Sequence, residues 1–240
     1  MRQLITLSAA ILDPMLRDDP VGPRITYYDD AFGPTGLRIE LSTVTLANWA
    51  AKTGNLLRDE LGAGPASRVA VLLPAHWQTA AVLFGVWWTG AEVVLDGDAE
   101  IALCTVDRLD EADATGATEV AVLSLDAFGR PVPNLPIGVT DYATAVRVHG
   151  DQIVGERSPG PAFDGRPVDE VLQASHQAAT AQGLTSTDRV LSSASWDTPD
   201  DVIGGLLSVL SVGGSLVYVA NPDAATLARK TETEKVTRSL

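Results

Sequence analysis

The chain contains the same order of patterns twice: an apolar run, a largely apolar helical stretch that opens with tryptophan and ends at glycine, and a second apolar run. These segments are 68–73, 77–90 and 91–95 in the first copy and 189–193, 196–214 and 215–219 in the second. A polar-capped helical pattern precedes each copy, over 45–62 and 168–183. The repeat predicts an α/β fold of duplicated αβαβ units with right-handed crossovers and mainly parallel sheets.

The two repeated helices have no charged face. A helix that is apolar all round must be buried on every side, which in a water-soluble protein places it between two layers. We therefore expect two sheets with central buried helices in a single domain, residues 1–240. Its pseudo-repeated halves would be 1–150, which begins with a β-hairpin over 25–41, and 151–240.

Two uncharged segments, 69–91 and 202–222, are long enough to span a bilayer. Glycines and a proline interrupt them where strand–helix junctions are expected, so we predict no transmembrane helix. The apolar run 4–12 meets Asp13 and Pro14 and lacks a small-residue cleavage site, which indicates a short N-terminal helix rather than a signal peptide. We expect a cytoplasmic protein.

Charge and residue usage exclude several kinds of site. The formal net charge is -14 and the 17 Lys and Arg are scattered, which argues against nucleic acid and membrane surfaces as partners. The single cysteine, Cys104, lies in an apolar run and is expected to be a buried structural thiol. His76, His149 and His176 lack metal-ligand spacing, so no metal site is predicted.

Eight segments, taken in order, carry a family resemblance. They are 25–27, 46–57, 67–74, 89–91, 165–167, 175–176, 183–191 and 234–237. Their order and spacing resemble the N-terminal region of adenylate-forming, AMP-binding enzymes such as acyl-CoA synthetases, and the resemblance covers most of the chain. More narrowly, the chain is similar to a group of short bacterial proteins that match only the front half of those enzymes. The resemblance implies the fold of that region in a truncated, degenerate relative.

The phosphate-binding loop of that family reads Ser/Thr-Gly-Ser/Thr-Thr-Gly-X-Pro-Lys, whose hydroxyls, amides and lysine hold the ATP phosphates. The corresponding run here, 161–168, is Pro-Ala-Phe-Asp-Gly-Arg-Pro-Val, which keeps Gly-X-Pro but has neither the hydroxyls nor the lysine. Asp164 adds negative charge and Pro161 lacks an N–H, so we expect poor phosphate binding. Arg166 either restores some affinity or is a solvated loop charge.

The remaining motifs of the family correspond to positions beyond Thr237. The resemblance therefore implies no catalytic residue and no cofactor for this chain, and no acid–CoA ligase activity on its own, because adenylation needs metal and lysine together. The leading hypothesis is a pseudoenzyme-like binding or structural protein. The alternative is a ligand-binding or catalytic subunit that handles an acyl or nucleotide substrate together with a partner chain.

Other constellations favour structural roles. Ser175 and His176 are adjacent on a predicted helix and point about 100° apart, so they cannot form the hydrogen bond that nucleophilic catalysis needs. The five tryptophans are expected to pack in the core. Weak ligand binding is expected in a cleft between the two copies. The candidate residues there are Gly160, Asp164, Gly165, Arg166, His176 and Trp196.

The last expectation concerns the oligomeric state. In the resembled enzymes the second sheet continues into residues beyond the match, so a sheet edge or an apolar face would lack its usual cover here. The charged segment 230–238 is poorly suited to hide more than one edge. We therefore predict a homodimer that buries roughly 800 Å² per chain, with an unidentified protein partner as the other possibility.

Overall fold

A computed structural model of the chain describes residues 5–32 and 36–240. Its α-helices are α1 (Leu7–Asp18), α2 (Thr43–Asp59), α3 (Trp77–Thr89), α4 (Leu109–Ala114), α5 (Tyr142–Ala145), α6 (Val168–Ala181), α7 (Pro199–Val202), α8 (Ser208–Ser211) and α9 (Ala224–Thr233). Short 3-10 turns cover Val106–Arg108 and Val146–Val148, and a π-helical segment, Ile203–Leu207, joins α7 to α8.

The strands form two five-stranded sheets. They are β1 (Pro23–Asp29), β2 (Leu37–Ser42), β3 (Arg68–Leu72), β4 (Glu92–Val94), β5 (Ile101–Cys104), β6 (Glu119–Val122), β7 (Val139–Asp141), β8 (Arg189–Ser192), β9 (Ser215–Ala220) and β10 (Arg238–Ser239). The mixed sheet has the order β10-β8-β9-β1-β2, in which only β1 and β2 are antiparallel. The parallel sheet has the order β4-β3-β5-β6-β7.

The pairing confirms the duplicated unit. In the first copy β3 lies beside and parallel to β4, with Val69 opposite Val93. In the second copy β8 lies beside and parallel to β9, with Val190 opposite Leu216. The mainly parallel α/β class is therefore confirmed, as is the predicted hairpin, formed by β1 and β2. The connector residues 33–35 of that hairpin lie outside the described residues.

The chain divides into two compact units that are interleaved in sequence. Of the described residues, 5–9, 47–74 and 78–171 form one unit, which contains the parallel sheet. Residues 10–32, 36–46, 75–77 and 172–240 form the other, which contains the mixed sheet. We call them the parallel-sheet unit and the mixed-sheet unit. A single domain with halves 1–150 and 151–240 stays a prediction.

Helix α3 is buried at every residue, as its lack of charge predicts. In the parallel-sheet unit it packs closely on α2 because glycine stands where the helices meet. A Cβ atom at Gly85 would lie 2.8 Å from Thr53 Cβ and 3.0 Å from the Ala50 carbonyl oxygen. Thr53 cannot turn aside freely, since its hydroxyl donates to the Trp49 carbonyl at 2.8 Å and lies 2.6 Å from the buried Tyr142 hydroxyl.

One local expectation is corrected, and two helices show detail that the pattern did not give. Strand β7 falls at the end of the stretch 128–140, which the proline and glycine content indicated as loop; its three residues pair with β6 but are too few to show a period. The expected short N-terminal helix, α1, includes Pro14 and continues to Asp18. The helix of the second copy is not uniform, because the π-helical segment begins just before Gly204 and Gly205.

The cysteine prediction is confirmed: Cys104 is fully buried in β5, and burial raises the pKa of its thiol to about 11. Such a thiol is protonated and unreactive at neutral pH.

Within residues 5–32 and 36–240, no helix combines the length and the apolar character that a bilayer crossing requires. Four of the five tryptophans are buried, and Trp49 is half-buried.

Replacing Gly85 with alanine tests the contact between α2 and α3. The added methyl group must displace Thr53 or the Ala50 carbonyl, so we expect Gly85→Ala to lower the free energy of unfolding by about 1–2 kcal/mol, despite the better helix propensity of alanine. Urea denaturation followed by tryptophan fluorescence measures this. Gly64→Ala is the matched control, because nothing lies within 4 Å of a Cβ there; equal effects of the two substitutions would refute the packing argument.

Candidate functional site

The segment that corresponds to a phosphate-binding loop forms a tight turn in the parallel-sheet unit. Phe163 and Arg166 form an antiparallel bridge, and Asp164 and Gly165 between them have φ of 49° and 75°. Two consecutive residues with positive φ are the signature of a type I′ turn, for which Asp-Gly is a preferred pair. The sequence therefore specifies a closed hairpin turn, and we refer to it as the 162–166 turn.

All five backbone amides of the 162–166 turn already donate to acceptors of the protein. The N–H groups of Ala162 and Phe163 donate to the Arg166 carbonyl at 2.8 and 3.3 Å, and the Arg166 N–H donates to the Phe163 carbonyl at 2.9 Å. The Asp164 N–H donates to the Val93 carbonyl at 3.1 Å. A phosphate group would have to break these bonds before it could be held by the same amides.

The fifth amide, that of Gly165, donates to a carboxylate. The Gly165 N–H donates to Oε1 of Glu92, a residue at the start of the edge strand β4. Asp164, within the turn, is exposed and adds a second carboxylate. Arg68 Nε, at 3.8 Å from Glu92 Oε2, supplies partial neutralisation. The local field around this turn therefore opposes a polyphosphate.

The 162–166 turn is also fixed to the sheet and to helix α3. The Val93 N–H donates to the Ala162 carbonyl at 3.0 Å, and the same carbonyl accepts the indole N–H of Trp87 at 2.7 Å. Phe163 is fully buried, with its ring 6.0 Å from that of Trp87. These bonds and this packing hold the turn in one conformation.

Gly160 comes just before the turn and lies against backbone. Its N–H donates to the Gly90 carbonyl at 3.0 Å, and a Cβ atom there would lie 2.1 Å from the Pro65 carbonyl oxygen. Only glycine fits such an approach. Four of the candidate ligand residues, Gly160, Asp164, Gly165 and Arg166, thus lie in one segment of the parallel-sheet unit, where the amides of the 162–166 turn are already bonded within the protein.

The other two candidates belong to the mixed-sheet unit. His176 is exposed on α6 while the adjacent Ser175 is fully buried, so their side chains point apart, as the helical geometry requires. Trp196 is buried, with its ring centroid 5.6 Å from that of Tyr218. A Cβ atom at Gly205 would lie 3.2 Å from its Nε1, so the π-helical segment gives the indole its space.

The sequence did not predict an aromatic row in the mixed-sheet unit. Tyr27 on β1 stacks on Tyr218 of β9 with ring centroids 6.1 Å apart, and the His76 ring lies 4.4 Å from Tyr27 at an edge-on angle. Burial lowers the pKa of His76 to about 3, so its imidazole is neutral at physiological pH. Burial also raises the pKa of both tyrosines. The row can offer neutral hydrogen-bonding groups but neither an imidazolium nor a phenolate.

The sequence also missed a cavity of about 600 Å³ in the mixed-sheet unit, between β1, β2 and α9. Its lining residues are Tyr28, Asp30, Gly36, Leu37, Arg38, Asp223, Thr226, Arg229, Lys230 and Thr233. Lys230 is buried; its Nζ lies 2.6 Å from both carboxylate oxygens of Asp30 and 5.4 Å from the Tyr28 ring centroid. Two features of the sequence could have indicated this cavity: the alternating charges in β2 and the lysine in the amphipathic helix α9.

A buried carboxylate, Glu234, connects the strands beside this cavity. Arg38 Nε donates to it at 2.8 Å, the Tyr28 hydroxyl donates to it at 2.5 Å, and Arg189 forms a further short ion pair with it. Burial alone would raise the pKa of Glu234, but these hydrogen bonds outweigh it and lower the pKa to about 2. The segment 230–238 was expected to be a poor cover because of its charge. Two of its charged residues are nevertheless buried, because Lys230 pairs with Asp30 and Glu234 pairs with Arg38 and Arg189.

No group of three or more His, Cys, Asp and Glu side chains within the described ranges could hold a metal ion. The histidines are separated: His76 is in the aromatic row, His176 is exposed on α6, and His149 Nε2 lies 2.9 Å from Glu60.

Comparison with known proteins finds one close relative. The chain is 70% identical over 241 residues to a TIGR03089 family protein of Mycobacterium tuberculosis (strain ATCC 25618 / H37Rv), and the match covers 98% of each chain. No protein-family model matches the chain.

Two solved structures share the fold. The anthranilate CoA ligase AuaEII, solved in complex with anthranoyl-AMP, has a TM-score of 0.71 at 17% identity, and the Brucella canis acyl-CoA synthetase has 0.78 at 19%. Each comparison covers 98% of this chain but only 48% and 47% of the ligases, so the chain spans about half their length. The resemblance to the N-terminal part of acyl-CoA synthetases is confirmed at the level of fold.

Glu234 makes stability depend on pH in a defined window. Because its pKa is about 2 in the folded protein and 4.5 ordinarily, its contribution is complete above pH 4.5 and is lost as the pH falls through about 2. We expect Glu234→Gln to lower the free energy of unfolding by about 2 kcal/mol at pH 7 and by less at pH 3. Urea denaturation at both values measures this. Glu232→Gln, on an exposed residue of α9, is the control; a pH-independent loss for Glu234→Gln would contradict the assignment.

Proposed function

The chain belongs to the TIGR03089 family, and on that premise we propose that it is a cytoplasmic, pseudoenzyme-like binding or structural protein that does not form acyl adenylates on its own. The observation that carries this proposal is the 162–166 turn. Its five consecutive amides are all bonded within the protein, one of them to the carboxylate of Glu92. The cytoplasmic part of the proposal rests on cysteine usage, because the sequence holds a single cysteine, which is buried, whereas proteins of oxidising compartments commonly carry disulfides.

The chemical argument concerns charge. Transfer of an adenylyl group separates pyrophosphate from the α-phosphorus, and the developing negative charge must be met by amide dipoles and cations. At the 162–166 turn the amide dipoles are used, and Glu92 and Asp164 place two carboxylates beside it. Arg68 lies 3.8 Å from Glu92 and is therefore already engaged. This geometry favours exclusion of a polyphosphate over its capture.

The alternative is a ligand-binding or catalytic subunit that works with a partner chain on an acyl or nucleotide substrate. The two solved ligases of the same fold keep this alternative open, because this chain spans about half of each of them. In that case the partner would have to supply the cations that hold the phosphates.

The test measures nucleotide binding and chemistry on the full chain. We expect calorimetry with ATP and Mg²⁺, or with AMP, to give no dissociation constant below about 1 mM. We also expect no pyrophosphate release with a panel of aliphatic and aromatic carboxylic acids, with the Brucella canis acyl-CoA synthetase as the positive control. Tight ATP binding or release well above background by the chain alone would overturn the proposal. Release that requires an added second chain would support the alternative.

We also propose that the chain forms a homodimer. Support comes from β2 and β7, which are outer strands of the two sheets, and from two exposed apolar side chains, Phe128 and Ile137, which are 75% and 106% exposed. Surfaces of this kind are commonly covered by another chain. Light scattering at micromolar concentration should return about twice the 25.2 kDa chain mass. A mass of one chain would refute the dimer without affecting the proposal about adenylation.

A further inference from the structure

The cavity of the mixed-sheet unit has the composition of a binding site for a small anion. Its volume of about 600 Å³ lies within the range of small-molecule sites. Its charged lining consists of Arg38, Arg229 and Lys230 against Asp30 and Asp223, a formal balance of three positive charges to two negative.

The two carboxylates of the lining are occupied. Asp30 accepts from Lys230 Nζ at 2.6 Å and from the Asp223 N–H at 2.8 Å, and hydrogen bonds of this kind lower its pKa against the opposing effect of burial. Asp223 is the N-cap of α9, where its carboxylate accepts the Ala225 N–H at 2.9 Å. Asp30 therefore cannot receive a cationic ligand without breaking existing bonds, and Asp223 has one carboxylate oxygen committed to the helix cap.

Donors remain unused, by contrast. Arg38 commits its Nε to Tyr28 and Glu234 and its Nη2 to Glu40 and Glu234, while its Nη1 donates to no described residue. Arg229 is exposed and forms neither an ion pair nor a hydrogen bond with the part of the chain that the structure describes. The Thr233 hydroxyl is likewise unbonded within the described ranges. Two guanidinium groups and a hydroxyl of the cavity lining thus have N–H or O–H groups that no described residue accepts.

The buried charges beneath the cavity hold Arg38 in place. Glu234 is 6% exposed and connects Arg38 to the Tyr28 hydroxyl, whose ring lies 5.9 Å from the Arg38 guanidinium carbon. Buried ion pairs give little net stability compared with apolar residues of similar volume. Here the ion pairs orient Arg38. Its guanidinium is held at two nitrogens and therefore loses little conformational entropy when the third nitrogen binds an anion.

We propose that this cavity binds a small organic anion whose phosphate or carboxylate group is held by Arg38 and Arg229. Guanidinium groups suit both anions because their parallel N–H groups match the spacing of two oxygens. The site is separate in sequence from the 162–166 turn and would serve ligand recognition without adenylation. This inference rests on residues other than those of the proposed function, and the variant Arg229→Gln distinguishes the two: ATP or AMP binding that this variant removes belongs to the cavity and not to the 162–166 turn.

The experiment titrates the full chain with phenyl phosphate, with benzoate and with the neutral analogue benzyl alcohol, followed by calorimetry at low ionic strength. We expect at least one anion to bind with a dissociation constant in the low millimolar range or tighter, and benzyl alcohol not to bind. A preference for phenyl phosphate or for benzoate then assigns the phosphate or the carboxylate class. Absence of binding by both anions up to about 10 mM would overturn the proposal.

The variant Arg229→Gln tests whether the anion binds in this cavity. Because Arg229 is exposed and has no ion pair within the described residues, its replacement should leave the melting temperature unchanged and weaken anion binding about tenfold or more. Arg157→Gln, an exposed arginine of the parallel-sheet unit, is the charge-matched control and should bind as the parent chain does. Equal binding by the two variants would place any anion elsewhere and refute the assignment of this cavity.

Discussion

The burial of an uncharged helix is the constraint on which the parallel-sheet unit depends. Over residues 78–89, α3 has no side chain that can face water, so each neighbouring segment must cover part of it. The N-terminal segment does so through Ser8, whose hydroxyl donates to the Phe84 carbonyl at 2.6 Å. Helix α2 does so through the close approach at Gly85, and the irregular segment before α6 does so at Trp88, where the Glu156 N–H donates to its carbonyl at 3.1 Å.

The same helix also fixes the position of the 162–166 turn. Trp87 reaches from α3 to the Ala162 carbonyl, and Phe163 packs against its ring, so the 162–166 turn is part of the hydrophobic core on one side. A loop that holds a phosphate must present its amides outward, whereas this one turns them back on itself and on β4. Asp164, where the resembled loop has a hydroxyl residue, combines with the retained Gly165 into the Asp-Gly pair that favours a structural turn.

The sequence predicted those features that repeat or have a period. Duplicated αβαβ units, the buried α3 and the β1–β2 hairpin follow from hydrophobic patterns that span many residues. Short or cooperative features escaped: β7 has three residues and no period, and the buried positions of Lys230 and Glu234 depend on partners up to 200 residues away. Asp164 and Pro161 were identified as unfavourable to phosphate binding, from a negative charge and a missing N–H, but the sequence alone did not show that Glu92 would occupy the Gly165 amide.

The π-helical segment Ile203–Leu207 changes the rotational phase of the helix that contains it. Each residue of an α-helix advances about 100° round the axis, so one extra residue in a turn rotates everything that follows by about that angle. The Gly204 carbonyl accepts bonds from Ser208 at 2.7 Å and from Gln182 at 3.0 Å, which stabilises the wide turn. Val209 and Leu210, which follow the segment, are fully buried, and deletion of one residue within it would rotate that apolar pair by about 100° round the helix axis.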